Sequence, residues 1–200
     1  MQQPGRPREF DPEETLSKIM KLFWEHGYEA TGLSDIIKAT GLGKASLYSA
    51  FGNKQSMYLK ALAHYDQLMV DAGVSTLRSP EMAPLDRITA FLSAPIAAVR
   101  DQIDRRGCFL CNASADRAAL DDDTAAVVRQ GYEKMRRAIA HSLMEEFPHL
   151  PVATIQARSE LVLTVYSGLQ IMARSGMTID TLSLAKVSVM TMLNGDEVEA

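Results

Sequence analysis

A chain of 200 residues, 46% hydrophobic and 23% charged, can bury a substantial core and is not of disordered composition. Its net charge of −4 gives no overall pointer to nucleic acid, but the balance is uneven: residues 1–60 hold 8 Lys+Arg against 7 Asp+Glu (+1), and residues 61–200 hold 13 against 18 (−5). An acidic remainder repels DNA and leaves the near-neutral first 60 residues as the surface able to approach it.

No N-terminal apolar stretch reads as a signal peptide, and the most apolar segment, Leu161 to Ala173, is too short and interrupted to span a bilayer. The two cysteines, Cys108 and Cys111, do not form a disulfide framework of the secreted kind. A cytoplasmic protein without a membrane partner is expected.

Asp11-Pro12-Glu13-Glu14 supplies an N-cap, a proline at the first helical position and an acid three residues after the cap. Leu16, Ile19, Met20, Phe23 and Trp24 follow at helical spacing, and Gly27 ends the stripe. A shorter helix carries Leu33, Ile36 and Ile37 inward. Gly41-Leu42-Gly43 makes a tight turn before a third helix, Lys44 to Phe51, with Leu47 and Phe51 one turn apart. Asn53 caps a long helix through Met57, Leu62, Tyr65 and Met69, reaching about Val74.

Ser79-Pro80 and Pro84 mark a loop. Leu85 to Arg106 then reads as a helix that Pro95 should kink or divide. After Gly107 a short helix covers Leu110 to Ala119, and Asp121-Asp122-Asp123 suits the start of the next, which runs to about Phe147. Two more follow over 152–175 and 179–193. No alternating strand pattern and no repeat is visible. The fold class expected is all-α, with a three-helix unit at 1–55 and a larger helical unit at 56–200.

Two short helices joined by a glycine-containing turn and braced by a longer one form a helix-turn-helix unit, whose second helix can enter a major groove. Lys44, Ala45, Ser46 and Ser49 fall on the face away from Leu47 and Phe51. Lys44 can bond guanine or phosphate, and Ser46 either bases or phosphate. Tyr48 and Lys54 are natural phosphate partners, Lys54 because free N–H groups at its helix start favour an anion. Arg6 and Arg8, in Gly5-Arg6-Pro7-Arg8, form a short basic arm that can reach a groove. The bland alternative is that the motif is helical packing and these lysines are merely solvated.

The stretch Gly27-Tyr28-Glu29-Ala30-Thr31, Leu33-Ser34-Asp35-Ile36-Ile37, Gly41-Leu42-Gly43-Lys44-Ala45-Ser46-Leu47-Tyr48 and Phe51-Gly52-Asn53-Lys54 resembles the head of the TetR family over roughly residues 6–60. The resemblance implies nine or ten helices per subunit and a homodimer on a palindromic double-stranded DNA operator, with repression as the usual outcome. By position it implies phosphate contacts for Thr31, Tyr48 and Lys54, and a recognition surface at Gly43, Lys44 and Ser46. Two positions depart from the family pattern: Gly32 replaces a capping Thr or Ser, and Ser49-Ala50 replaces bulkier residues, so the operator sequence does not follow.

Gly107-Cys108-Phe109-Leu110-Cys111-Asn112-Ala113 resembles a Gly-Cys-x-x-x-Asn-Ala segment at the start of the sixth helix in one branch of the family, some of whose members respond to electrophiles or oxidants. A thiol at a helix N-terminus beside Arg105 and Arg106 should ionise more readily, with Asp104 opposing. Three readings stay open for Cys108 and Cys111: small buried hydrophobes, a thiol switch, or metal sensing. The last lacks further ligands, because His26, His64, His141 and His149 are scattered. No metal site, cofactor or catalytic residue is expected. A small-molecule inducer would lie near Pro95, Cys108, Tyr132, Met135, Tyr166 and Met172, which are equally ordinary core types.

Val162, Val165, Leu169 and Met172, then Leu182, Ala185, Val189 and Met192, with Ser167-Gly168 allowing close approach, read as a face for a partner helix pair across a two-fold axis. Packing within the chain is the alternative. Two rival functions remain: a thiol–disulfide oxidoreductase using Cys108 and Cys111, which lacks the usual preceding strand, and a helical protein-binding adaptor, which leaves Gly41 to Lys54 unexplained.

Overall fold

The computed structural model describes residues 10–101 and 105–195. Among these the chain forms ten α-helices: α1 (Pro12–Ala30), α2 (Leu33–Thr40), α3 (Lys44–Phe51), α4 (Lys54–Tyr65), α5 (Asp71–Leu77), α6 (Pro84–Arg100), α7 (Phe109–Asp116), α8 (Asp122–Glu146), α9 (Val152–Arg174) and α10 (Ile179–Gly195). A π turn, Asp66–Val70, directly follows α4 in sequence and leads into α5, so α7 begins the sixth uninterrupted helical run. No strand occurs among the described residues. The architecture is all-α, a helix-turn-helix head followed by a helical body.

The chain separates into two compact units, residues 1–65 and 66–200. The division lies ten residues beyond the expected 55/56 boundary. The reason is the packing of α4: Met57, Tyr58, Ala61, Leu62 and Tyr65 are all buried, and α4 lies chiefly against α1. Removing this side of α4 from water completes the head's core, at roughly 1.5–3 kcal/mol for each large apolar side chain.

In the head, Asp11 accepts from the N–H groups of Glu13 (2.8 Å) and Glu14 (3.3 Å), as its capping position requires. Ile19, Met20, Phe23 and Trp24 form the buried stripe of α1. Gly27 interrupts that helix with φ 79°, after which one further turn runs to Ala30. The ring of Trp24 meets Tyr65 edge-on at 4.9 Å, and Ser17 bonds the buried His64 at 2.8 Å, further tying α1 to α4.

In the body, α8 packs on α9, α6, α7 and α5. Asp121 caps it by accepting from the Thr124 N–H at 2.8 Å. Met135, Ala138, Ile139 and Leu143 of α8 are buried together with Ile88, Leu92 and Ile96 of α6. The helix of Pro95 runs on unbroken from Pro84 to Arg100, with Pro95 itself buried, so the proline does not divide it as the sequence suggests.

The apolar stripe expected to face a partner is largely spent within the chain. Val162, Leu169, Leu182 and Val189 are all buried in the single chain, α10 lying against both α6 and α9. Large apolar side chains left exposed on these helices are Val152 and Ile179 at their first residues, and Ile171, Leu184, Val187 and Met192 further along. Those further along take over as the candidate partner face.

Candidate nucleic-acid interface

Backbone chemistry sets the two short helices. The Gly32 N–H donates to Asp35 Oδ2 at 2.8 Å, so Asp35 supplies one half of a capping box although Gly32 has no side chain for the other. Gly41, at φ 72°, ends α2 in the left-handed conformation, with its N–H on the Ile37 carbonyl at 2.9 Å. The Leu42 N–H donates to Thr40 Oγ1 at 3.3 Å, which fixes the turn. Leu47 and Phe51 bury the inner side of α3. Gly52 then adopts φ 83°, and a Cβ there would approach Ser56 Cβ to 2.8 Å, so the α3–α4 connection demands glycine. Asn53 caps α4 by accepting from the Ser56 N–H at 2.9 Å.

This scaffold leaves one surface bare. Gly43, Lys44, Ala45, Ser46, Tyr48 and Ser49 are all exposed, since Leu47 and Phe51, one turn apart, form the buried side of α3. Tyr48 keeps 41% of its surface in solvent, with Lys44 Nζ 5.7 Å from its ring centroid. Four of the six carry short side chains or none, so a second backbone can approach α3 closely. Arg6 and Arg8 lie outside the described residues.

Thr31 departs from expectation. It is only 1% exposed, and its hydroxyl donates to the Gly27 carbonyl at 2.7 Å. The side chain closes the break in α1 and does not present itself to a phosphate. Lys54 is half-buried, with Nζ 4.5 Å from the centre of the Tyr28 ring and 3.4 Å from the Glu29 carbonyl, to which it donates. Tyr28 in turn meets Tyr58 edge-on at 5.0 Å and lies parallel to Phe23 at 6.2 Å. Tyr28 therefore places Lys54, a role sequence spacing did not reveal because the two residues are far apart in the chain. Lys60, also unanticipated, donates to the Ala50 carbonyl at 3.4 Å and so pins the end of α3 to α4.

The thiols form a second, separate candidate. Gly107, at φ 70°, packs so closely that a Cβ would fall 2.9 Å from the Gln170 carbonyl oxygen. It delivers Cys108 to the N-cap of α7, and Cys108 and Cys111 are both buried. Tyr132 donates its hydroxyl to Cys111 Sγ at 3.5 Å. A hydrogen bond with Cys108, then burial, then the charge of Cys108 push the Cys111 thiol far up, more than Tyr132 and Ser167 pull it down. Cys111 is therefore a protonated thiol at any ordinary pH, not a readily ionised one. Burial also pushes up the phenols of Tyr132 and Tyr166, with the neighbouring sulfurs adding to it. Tyr166 stacks on Phe91 at 4.0 Å and accepts from Gln170 Nε2 at 2.8 Å, and Met135 is plain core. Among the described residues no three His, Cys, Asp or Glu side chains cluster as metal ligands, and no helix is long and apolar enough to cross a membrane.

A short exposed helix, small-faced and held by a buried three-helix scaffold, defines a DNA-binding head of the helix-turn-helix class. The sequence pattern of the family described as "Bacterial regulatory proteins, tetR family" matches residues 16–61. The chain is 28% identical over 183 residues to the HTH-type transcriptional repressor ComR of Escherichia coli (strain K12), covering 89% of this chain and 86% of that protein. It is 26% identical over 196 residues to the repressor BdcR of the same organism, covering 95% and 94%. In fold it is similar to a cysteine mutant of the TetR-family regulator CifR solved with operator DNA, with TM-score 0.77, 23% identity and coverage of 92% and 98%. The reduced form of NemR from E. coli superposes with TM-score 0.73, 21% identity and coverage of 90% and 95%. The chain belongs to the TetR family and is a DNA-binding transcriptional regulator.

Proposed function

We propose that the chain acts as a homodimeric repressor in the cytoplasm, that its 1–65 unit reads a palindromic double-stranded operator, and that its 66–200 unit dimerises and senses an inducer. The observation that carries the reading is the bare α3 surface, Gly43 to Ser49, on a scaffold whose inner residues are fully committed. Lys44, Ala45, Ser46 and Ser49 meet base edges and nearby phosphates. Tyr48 and Lys54 take phosphates, and Arg6 and Arg8 take an adjacent groove. Relatives named as repressors support the sign of control.

Dimerisation uses the outer sides of α9 and α10. Ile171, Leu184, Val187 and Met192 stand exposed there, and a Cβ on Gly168 would meet nothing within 4 Å. Two heads on one dimer engage two half-sites, which multiplies a weak single contact.

For the inducer, a thiol-reactive electrophile that modifies Cys108 is the reading favoured by its place at the N-cap of α7 and by a neighbour, Cys111, that stays protonated. Because Cys108 is buried, the reagent must enter as α7 opens, and the adduct holds it open. An uncharged ligand bound non-covalently is the second reading, favoured by the aromatic surroundings of Phe91, Tyr132 and Tyr166. Either agent shifts a balance between DNA-competent and incompetent arrangements of the dimer. The relatives are named as transcriptional repressors, which favours a regulator over a thiol–disulfide oxidoreductase using Cys108 and Cys111.

The test is fluorescence anisotropy on duplexes selected from a random pool, with the protein reduced and then treated with a maleimide. Sequence-preferring, salt-dependent binding that is lost on treatment, and kept in Cys108→Ser, supports the whole reading. Binding that ignores the reagent keeps the regulator and removes the thiol inducer. A selection that enriches no sequence would overturn the operator reading itself.

Tyr28 supplies a sharper check on Lys54. Tyr28→Leu removes the face on which the ammonium rests, and a cation over an aromatic ring contributes on the order of 0.5–1 kcal/mol at such sites. Operator affinity should fall about three- to fivefold, with the salt dependence reduced by up to about one phosphate. Tyr28→Phe, which keeps the ring, should bind as the parent does. Equal loss in both variants would dismiss the ring's role.

A further inference from the structure

The chain leaves its first compact unit at Tyr65, and there the helix changes its winding. Residues Asp66–Val70 are wound as a π turn, which closes i→i+5 bonds and holds one more residue per turn than its flanks. The winding decides what two carboxylates can do. In an α-helix each residue advances by about 100°, so residues five apart point about 140° away from each other. In a π turn they stack. Asp66 and Asp71 are five apart, and both accept from the same ammonium, Lys134 Nζ of α8, Asp71 Oδ1 at 2.6 Å. That bridge fits the π register, since an α register would turn one carboxylate away.

The same face of α8 approaches this aspartate again one turn earlier. One turn before Lys134 stands Gly131, which is buried. A Cβ there would lie 2.3 Å from Leu110 Cδ1 and 3.1 Å from Asp66 Oδ1. Asp66 Oδ1 is buried and accepts no hydrogen bond, an unfavourable state that the surrounding packing enforces. Leu110 lies between Cys108 and Cys111 on α7. The α5 side of the turn is fixed to the body: Gly73 packs on the Phe91 ring, and the Leu77 carbonyl accepts from the buried Ser142 hydroxyl at 2.6 Å. A change of winding in Asp66–Val70 must therefore be taken up on the Tyr65 side.

We propose that the Asp66–Val70 turn is a two-register element, held by Lys134 and by Leu110 in the Gly131 notch in the π register that binds operator, and released to the α register when α7 moves. Rewinding by one residue turns the helix on the Tyr65 side by about 100° and shifts it by about 1.5 Å. Release lets the buried Asp66 Oδ1 reach a donor. The claim about register stands on the contacts alone; the claim that the inducer acts through Leu110 rests on α7 being the sensing element.

The experiment compares Lys134→Met, Asp71→Asn and Gly131→Ala with the parent, as full chains and with no inducer present. Two quantities are read: operator affinity, and hydrogen exchange of the amides of residues 66–75. Lys134→Met keeps length and helix preference but strands the largely buried Asp66 carboxylate, so Asp71→Asn, at a side chain 48% exposed, is the variant that spares the fold. Both should lose at least tenfold in affinity, with altered exchange confined to 66–75 and the protection of α1 and α8 intact. Gly131→Ala should do the same, and adding Leu110→Ala, which clears room for the new methyl group, should restore affinity to within about threefold. Parental affinity and parental exchange in both Lys134→Met and Asp71→Asn would overturn the proposal, as would a loss of affinity accompanied by a general loss of protection. A parent that ignores maleimide while Lys134→Met still loses operator would retire the thiol sensor and leave the register element standing.

Discussion

Ala45→Glu is expected to cost at least about 100-fold in operator affinity and to leave the melting temperature unchanged or slightly raised, since about 1.4 kcal/mol corresponds to each factor of ten. Ala45 is the second residue of α3 and fully on its exposed side. In the free protein a carboxylate there touches no core and sits in the first turn of a helix that has no acid of its own, where it interacts favourably with the dipole by about 0.3–1 kcal/mol. On DNA the same carboxylate is pressed among phosphates and base-edge acceptors and loses its water. Stability and binding therefore move in opposite directions, which general damage to the head cannot imitate. Ala45→Gln separates charge from bulk and should lose much less. Lys44→Ala should lose about tenfold or less, with a salt slope reduced by about one if its partner is a phosphate. Titration by anisotropy at three salt concentrations, alongside thermal melting, reads all of these. Parental affinity in Ala45→Glu would mean that α3 does not enter a groove by its N-terminal end.

Much of the head was legible because its signals are local. Asp11-Pro12 starts α1, glycines at 27, 41 and 52 adopt positive φ where the chain turns, and the pair Leu47 and Phe51 tells which side of α3 is left outside. What escaped was set by distant partners. Thr31 has the right residue type for a phosphate contact, but the broken turn at Gly27 supplies a carbonyl that claims its hydroxyl first. The boundary at 65 follows from how far α4 stays packed on α1, which no composition change marks. The π turn has no propensity signal either; Lys134, more than sixty residues away, is what makes its register worth adopting.

The thiols show the limit of reasoning from position along a helix. An N-terminal cysteine near two arginines suggests easy ionisation. Yet burial and mutual proximity act on the second sulfur in the opposite sense, and Cys111 is held as a neutral hydrogen-bonding partner of Tyr132.

Helices α9 and α10 posed another ambiguity. Leu161, Val162, Leu163, Val165, Leu169, Ile171 and Met172 put apolar groups nearly all round α9, so periodicity cannot say which side is spent within the chain. The answer given by burial, with Val162, Leu169, Leu182 and Val189 inside, rotates the candidate partner face toward Thr164, Gly168 and Ile171 on α9 and Leu184 and Val187 on α10. Gly168 makes this face testable. Within one chain the space beyond it is open, and a glycine inside a helix is less favourable than alanine by about 1 kcal/mol. A lone protomer would gain from any side chain there. If a partner helix instead lies close across Gly168, Gly168→Ala should fit with little change, while Gly168→Arg should force the helices apart. We expect Gly168→Arg to sediment as a folded monomer and to lose roughly 100-fold or more in operator affinity, because two tethered half-site contacts exceed one by about 10²–10⁴. A Gly168→Arg protein that remains dimeric and binds as the parent does would remove α9 from the interface, and the exposed Leu184 and Val187 would then need a different cover.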